Sequence, residues 1–88
     1  MNFSQALDAL HGGKRVRHAS MPEGQFLYLV EGSEFTVNRP PLNSIFPEGT
    51  KIIYKSHIDI CYGNGVCGVW SPNNLVADAD GWIVAETL

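Results

Sequence analysis

Arg39 is the residue most suited to chemistry, and it lies in the segment 38–41, which reads Asn-Arg-Pro-Pro. Neither a helix nor a strand can continue through the two prolines, because each lacks an amide hydrogen and fixes its own φ angle. The guanidinium is therefore expected on a stiff, irregular platform, which suits the binding of an anion better than the building of a core. The alternative is a surface ion pair with Glu34 or Glu48.

The composition predicts one small folded domain over residues 1–88 that assembles into a homo-oligomer. A chain of 88 residues buries only about 60 to 70% of its unfolded surface, and this one is 44% hydrophobic and 17% charged. The net charge of -3 and the pI near 5.4 argue against a DNA or RNA partner, since phosphate contacts need a basic excess. The short basic run 14–17 is expected to be a solvated strand face.

No segment indicates a membrane or a secretion signal. The chain has no window of about 18 apolar residues, and residues 1–10 contain neither a basic nor an apolar signal region. We therefore expect a cytoplasmic protein with no membrane partner.

The two cysteines, Cys61 and Cys67, flank the Gly-Asn-Gly segment 63–65. A three-residue loop would place them opposite each other, and a two-residue loop would leave them diagonal. Free thiols are expected in a reducing cytoplasm. Together with His57 they would supply only three metal ligands, at a spacing that matches no zinc pattern, so no metal and no cofactor is expected.

The N-terminal segment predicts an amphipathic helix of about two turns. Asn2 can cap it, Gln5 sits three residues on, and Gly12 and Gly13 end it. Apolar side chains recur at helical spacing, at Phe3, Ala6, Leu7 and Leu10.

The rest of the chain predicts strands and short helical turns. The strand patterns cover 14–18, 25–30, 34–37, 51–62, 66–70 and 82–85. The run 51–62 has one apolar face and one that carries Lys55, His57 and Asp59. Asn64 and Gly65 indicate a type I′ hairpin turn, a helical turn or irregular loop is expected at 42–46, and Ser71-Pro72 would open a short helix at 73–79. The fold class is α+β: a small, twisted antiparallel sheet of about five or six strands with an N-terminal helix and a short helix in the C-terminal half.

Several of these segments, in this order and spacing, resemble a known family over nearly the whole chain. They are the opening MNFSQAL with GKRVR, the strand FLYLV, the platform NRPPL, the turn PEGT, the segment from Tyr54 to Asp59, and Trp70 twelve residues before Trp82. The chain is similar to the phage-encoded Thoeris anti-defence sponges of the second kind, formerly a domain of unknown function.

That resemblance implies a non-enzymatic homo-oligomer, typically a tetramer. It implies sequestration of a nucleotide immune signal made by a TIR-domain or cyclase enzyme in the infected bacterial host. The signal would be glycocyclic ADP-ribose, a conjugate such as histidine-linked ADP-ribose or, as an alternative, a cyclic dinucleotide. A module that inhibits a defence enzyme through an exposed apolar face is a second class of function.

An ADP-ribose derivative needs donors for its pyrophosphate, polar groups for ribose and an aromatic face for adenine. Arg39 is the candidate pyrophosphate donor. Asn38 suits a ribose or a base edge, or is a turn residue. Trp70 suits base stacking or a core or interface position, whereas Trp82 is expected in the core. Asn73 and Asn74 open the last helix as ligand contacts or as caps.

In the resembled family, the stretch with His57 and Asp59 lies near the pocket. The pair could also serve as a general base with its orienting partner, but no nucleophile motif or phosphate-binding glycine loop accompanies it. Asp59 with Asp78 and Asp80 could hold Mg2+, although the latter two read more simply as a helix end and turn.

Met21 stands where many relatives have a tryptophan that helps to close the ligand site. Methionine is apolar but offers no flat ring, and His18 would supply a ring nearby or serve as a polar strand end.

Overall fold

The structure, a computed structural model, describes residues 1–85, so the last three residues of the expected 1–88 domain lie outside the described part. Along the chain lie the helix α1 and seven strands. Their bounds are α1 Phe3–His11, β1 Val16–His18, β2 Phe26–Val30, β3 Ser33–Thr36, β4 Lys51–Tyr54, β5 His57–Cys61, β6 Cys67–Val69 and β7 Trp82–Val84. Two 3-10 helices, Leu42–Ser44 and Asn74–Ala77, lie in the connections. The predicted α+β class is confirmed.

The helix α1 begins and ends where its sequence signals place it. The Asn2 side chain accepts from the Gln5 backbone N–H, and the Gln5 side chain accepts from the Asn2 N–H, both at 2.9 Å. This capping box satisfies two backbone donors that a helix start leaves without partners. The helix ends at Gly12.

Five strands form one antiparallel sheet in the order β6-β5-β2-β1-β7. The helix covers one face of this sheet, and the core lies between them. The buried core residues are Ala6, Leu10, Val16, Leu27, Ile60 and Trp82. Trp82 is fully buried and donates its indole N–H to the Leu75 carbonyl at 3.0 Å, so its predicted core position is confirmed.

The opposite face of the five-stranded sheet has no helix on it within residues 1–85. Strand alternation and register place on it the side chains between the core positions. We call it the open face; its central members are Tyr28, His57, Asp59, Cys61, Cys67 and Val69. Val69 is 70% exposed.

The strands β3 and β4 form a separate two-stranded ribbon. The single strand predicted over 51–62 is therefore wrong, because the chain leaves the ribbon at Tyr54 and enters the main sheet at His57. The backbone of Gly32 lies close to the chain at this break, because a Cβ on Gly32 would lie 2.1 Å from the Tyr54 carbonyl oxygen. The ribbon helps to make the molecule elongated, with extents of 47 × 26 × 24 Å.

The hairpin between β5 and β6 differs from the predicted type I′ turn. Gly63 and Gly65 have φ angles of 87° and 83°, whereas no non-glycine residue of the described chain has a positive φ. Glycine thus takes both left-handed positions, Asn64 lies between them, and the loop has three residues. Cys61 and Cys67 are consequently paired directly across the strands.

The predicted helix over 73–79 is a shorter 3-10 helix, and its cap is Asn73 rather than Ser71. The Asn73 side chain accepts from the Leu75 N–H at 2.9 Å, so the cap lies two residues later than predicted and the helix begins at Asn74. Asp78 then adopts an extended backbone and ends it.

Candidate functional site

Arg39 is exposed in the loop beyond the outer end of the ribbon. Neither of its alternative partners holds it within the described chain: Glu34 pairs with Lys51 at 2.7 Å, and no ion pair joins Arg39 to Glu48. The platform itself is ordered by local hydrogen bonds, since the Arg39 carbonyl accepts from the Asn43 N–H at 3.1 Å. The guanidinium is thus presented to solvent on a fixed backbone, and Asn38 beside it is also exposed.

Trp70 and Met21 lie on the helix-covered side, half-buried against the core. The Trp70 ring is 5.8 Å from the Phe3 ring and meets the Trp82 ring edge-on at 6.2 Å. Met21 accepts the His18 backbone N–H on its sulfur at 3.2 Å. Both side chains therefore contribute to packing, which uses part of the surface that a bound base would need.

Asn73 is the cap of the second 3-10 helix, and Asn74 is its exposed first residue. The capping alternative is thus observed for Asn73, whose side-chain oxygen is already an acceptor. Both residues follow Trp70 in the chain, three and four positions on.

His57 and Asp59 share the open face. His57 Nε2 lies 3.1 Å from Asp59 Oδ1, yet that oxygen is buried without a hydrogen bond of acceptable geometry. The Asp59 side chain is 18% exposed and the His57 side chain 43%. A buried acceptor without a donor costs free energy, and the His57 imidazole, 3.1 Å away, is a neighbour placed to reduce that cost.

Tyr28 and the two thiols surround Asp59 on the open face. Tyr28 is opposite Asp59 in the β2–β5 register, and its side-chain hydrogen bond with Cys67, with burial second, raises the pKa of Tyr28 to about 12. The hydrogen bond with Cys61 is the main cause that raises the pKa of Cys67, and its bond with Tyr28 acts in the opposite direction. Tyr28 and Cys67 therefore both favour their neutral forms in this part of the open face.

A cluster that the sequence analysis missed joins His18, Ser20 and Asp78. His18 Nε2 is 2.7 Å from Asp78 Oδ2, and His18 Nδ1 is 2.8 Å from Ser20 Oγ. These are the residue types of a nucleophilic triad. However, the Ser20 backbone N–H also donates to Nδ1, at 3.1 Å, so the proton must sit on Nε2 and the Nδ1 lone pair is already in use.

The His18 cluster therefore acts as a structural connection between β1 and the loop before β7. His18 is 5% exposed and meets the Trp82 ring edge-on at 5.3 Å. The pKa of Asp78 is lowered, first by the backbone N–H of Asp80 and then by His18. The His-x-Ser spacing could have indicated the contact between His18 and Ser20. Asp78 lies 60 residues further along the chain, and nothing in the sequence indicated that it contacts His18.

Among the clefts on the described surface, two are wide and open, and the predicted site residues line neither. A cleft of about 730 Å3 lies at one end of the open face, between the loops of Gly24 and Gly63 and beside Phe26. One of about 590 Å3 lies where the ribbon leaves the main sheet, and includes Glu31 and Tyr54. Arg17 shapes the first by donating to the carbonyls of Met21 and Gln25, at 2.8 and 3.2 Å.

The predicted site residues thus occupy three places in one chain. Trp70, Met21, Asn73 and Asn74 belong to the helix-covered side or its rim, His57 and Asp59 to the open face, and Asn38 and Arg39 to the ribbon's outer loop. With a rise of about 3.3 Å per residue, Arg39 lies roughly 20 Å of strand beyond Ser33, where the ribbon begins. A single copy does not bring Arg39 to the other two groups.

The described residues contain no group of three metal-ligating side chains placed around one point. They also contain no helix with the length and apolarity needed to span a bilayer. The described residues form a small α+β protein, and five of the eight predicted site residues, Asn38, Arg39, His57, Asn73 and Asn74, are exposed on its surface.

A match to a known protein family covers nearly the whole chain. The model of the Thoeris anti-defense 2-like (Tad2-like) domain matches residues 1–85, and the chain belongs to that family. A search of curated proteins finds no match. The family resemblance drawn from the sequence is thereby confirmed, and family membership supports a role against Thoeris defence.

Proposed function

We propose that the protein is a sponge: it binds a TIR-derived nucleotide signal and holds it intact in the cytoplasm of the infected host, which silences Thoeris immunity. The signal would be glycocyclic ADP-ribose or a related conjugate such as histidine-linked ADP-ribose. The observation that carries this proposal is the family match over residues 1–85. A sponge for cyclic dinucleotides is the alternative within the same class.

Arg39 is the proposed contact for the pyrophosphate. It is exposed, its backbone is fixed by the loop, and no ion pair in the described chain occupies its guanidinium. A planar fork of N–H donors suits a diphosphate better than a point charge does. Asn38 would contribute a polar contact to the ribose beside it.

The proposed protein works as a homo-oligomer, with a tetramer as the expected state. The support is threefold: a two-stranded ribbon is marginal without further packing, Ile53 on that ribbon is 69% exposed, and Val69 on the open face is 70% exposed. Assembly would also allow Arg39 of one copy to approach the open face or the Trp70 side of another. The ligand site would then be shared between copies.

The hydrogen-bond partners of His18 and His57 favour binding of the signal without its chemical conversion. His18 has no free lone pair for a hydroxyl proton, and His57 is paired with Asp59, while no hydrogen bond of the described residues joins His57 to a serine or threonine hydroxyl. The competing class is a module that inhibits a defence enzyme directly through the exposed apolar residues.

A retention experiment separates these classes. The protein is incubated with an extract of cells that express a TIR-based defence system under infection, passed through gel filtration, and heated; the released small molecules are identified by mass spectrometry. A nucleotide released intact supports the sponge. An empty protein that instead co-elutes with a defence enzyme supports the interaction module. Arg39→Ala should retain less nucleotide than the wild type, and Lys51→Ala, which removes a neighbouring ribbon cation, should retain as much.

A further inference from the structure

The pattern of backbone hydrogen bonds in the β5–β6 hairpin shows which kind of cross-strand pair Cys61 and Cys67 form. The Tyr62 N–H donates to the Val66 carbonyl, and the Trp70 N–H donates to the Ile58 carbonyl, each at 2.9 Å. Hydrogen-bonded and non-hydrogen-bonded pairs alternate along an antiparallel ladder. The directly opposed cysteines are therefore a non-hydrogen-bonded pair.

This position brings the two thiols within reach of a covalent bond. Opposed Cα atoms in non-hydrogen-bonded pairs are about 4.5 Å apart, at the lower end of the range that disulfides span. Both side chains point to the open face. The three-residue loop fixes the register, because its two left-handed glycines hold the turn. The geometry thus lets the bond form without a change of strand pairing.

The two sulfurs differ in access. Cys67 lies on β6, the edge strand of the sheet, and is exposed, whereas Cys61 on β5 is half-buried; both are free thiols. The exposed thiol is the one that a dissolved oxidant meets first, and the half-buried one is placed directly behind it.

We propose that Cys61 and Cys67 form a reversible oxidation site that closes to an intrachain cross-strand disulfide. The oxidant is a low-molecular-weight disulfide such as glutathione disulfide. The Cys67 thiolate attacks it, forming a mixed disulfide and releasing one glutathione thiolate. The Cys61 thiolate then attacks the Cys67 sulfur and releases the second. Two protein thiols lose two protons and two electrons, and one glutathione disulfide becomes two glutathione molecules.

The pH at which the Tyr28 phenol ionises should indicate whether this disulfide has formed. The interaction with the Cys67 side chain comes first among the causes that resist its ionisation, followed by burial and by the charges of Cys67, Asp59 and Cys61. A disulfide carries no thiolate and no S–H, so closure removes the part that the two cysteines contribute, whereas burial and Asp59 remain. Tyr28 should then ionise at lower pH in the oxidised protein than in the reduced one.

The test treats the full-length protein with glutathione disulfide and follows intact mass under denaturing, non-reducing conditions. The wild type should lose two hydrogen atoms, remain a single chain on a non-reducing gel, yield one peptide pair linked through the two cysteines, and revert with dithiothreitol. Cys61→Ser should stop at one glutathione on Cys67. Cys67→Ser should take up glutathione more slowly than Cys61→Ser.

Other outcomes overturn the proposal. A wild type that accumulates glutathione adducts without closing shows that the thiols do not reach each other. A product linked between chains shows that the register does not select the intrachain partner. Faster uptake by Cys67→Ser than by Cys61→Ser reverses the assigned order of attack. An unchanged tyrosinate absorbance titration after oxidation contradicts the contact with Tyr28; Tyr28→Phe, which lacks that step, is the control. Because the mass and peptide readouts use the wild type, they decide the matter even where a serine variant folds poorly.

Discussion

His18 Nε2 and Asp78 Oδ2 lie 2.7 Å apart and join the second element of the chain to the loop that precedes its last strand. The imidazole is nearly buried, and the carboxylate is 44% exposed. This one contact connects residues 60 positions apart. It explains why a polar side chain can occupy the core beside Trp82, since both ring nitrogens have partners.

Acid should weaken this connection. The pKa of Asp78 is lower in the folded protein than in the unfolded chain, where it is about 3.9. Its contribution to stability is therefore present above that value and is lost as pH falls through the lower folded pKa. Asp78→Asn should flatten the acid limb of a plot of Tm against pH. Asp80→Asn, whose side chain is 96% exposed and whose backbone N–H remains, should keep it; equal flattening in both variants would contradict the assignment.

Gly81 should not tolerate a side chain. A Cβ there would lie 2.1 Å from His18 Nε2 and 2.8 Å from Asp78 Oδ2, so the His18 contact must shift. Gly81→Ala should cost about 1 to 3 kcal/mol in the free energy of unfolding, as overpacked cores do. Gly68→Ala, in a strand where a Cβ meets nothing within 4 Å, is the matched control and should change stability little. Urea unfolding of both variants makes the comparison, and a neutral Gly81→Ala would refute the tight packing.

Tyr28 should ionise at a higher pH in the folded protein than in the unfolded chain. Its folded pKa of about 12 exceeds the unfolded value of about 10, so the phenol stays neutral longer in the native protein. The stability associated with it is complete below pH 10 and declines as pH rises towards 12. The tyrosinate absorbance titration of the reduced protein should show a step near pH 12 that Tyr28→Phe lacks. Persistence of that step in the variant would assign it to another residue.

Much of the fold could be predicted, because the signals for it come from residues that are close together in the sequence. The Asn2 and Gln5 capping box, the Gly12 helix end and the buried Trp82 each follow from side-chain chemistry at the position itself. The break between β4 and β5 could not, since alternation continues through Lys55 and Ser56. At the break Gly32 approaches the Tyr54 carbonyl closely, and a contact between segments so far apart in the sequence leaves no local signal.

The exposure of the Arg39 platform could be predicted from the sequence. The positions of the candidate site residues relative to one another could not. The prolines after Arg39 indicated an irregular exposed platform, and the structure has one. The same sequence could not show that His57 and Asp59 face away from the helix-covered side while Trp70 packs towards it, because that depends on which strands pair. The His18 cluster was missed for the same reason.

The protein should not be a monomer. Light scattering after size exclusion at micromolar concentration should give a mass of at least twice the 9.7 kDa chain, with four times that mass expected. Ile53→Lys should shift the distribution towards smaller species, because it places a charge on an exposed apolar position of the ribbon. Ser4→Lys, on the exposed side of α1, is the control. A wild-type mass near 9.7 kDa would refute assembly.

Arg39 should supply a large share of the binding free energy. Truncation to alanine removes charge-assisted hydrogen bonds worth roughly 1.5 to 3 kcal/mol, so affinity should fall about tenfold to a hundredfold. Arg39→Lys should restore only part of it, since lysine keeps the charge and loses the planar fork. Titration calorimetry with the captured signal, with a melting curve for each variant and Lys51→Ala as control, measures this. Unchanged affinity in Arg39→Ala, or loss only through unfolding, would make Arg39 structural.

The stoichiometry of capture shows whether the protein holds its signal and leaves it intact. A fixed amount of the signal is mixed with increasing protein, the free signal is measured at early and late times, and each sample is then heated. A sponge should give a linear fall of free signal to a fixed molar ratio, no change with time, and full recovery of the original mass and receptor-activating activity on heating. Loss of signal beyond that ratio, growing with time and yielding a cleaved product, would contradict it and make the protein an enzyme.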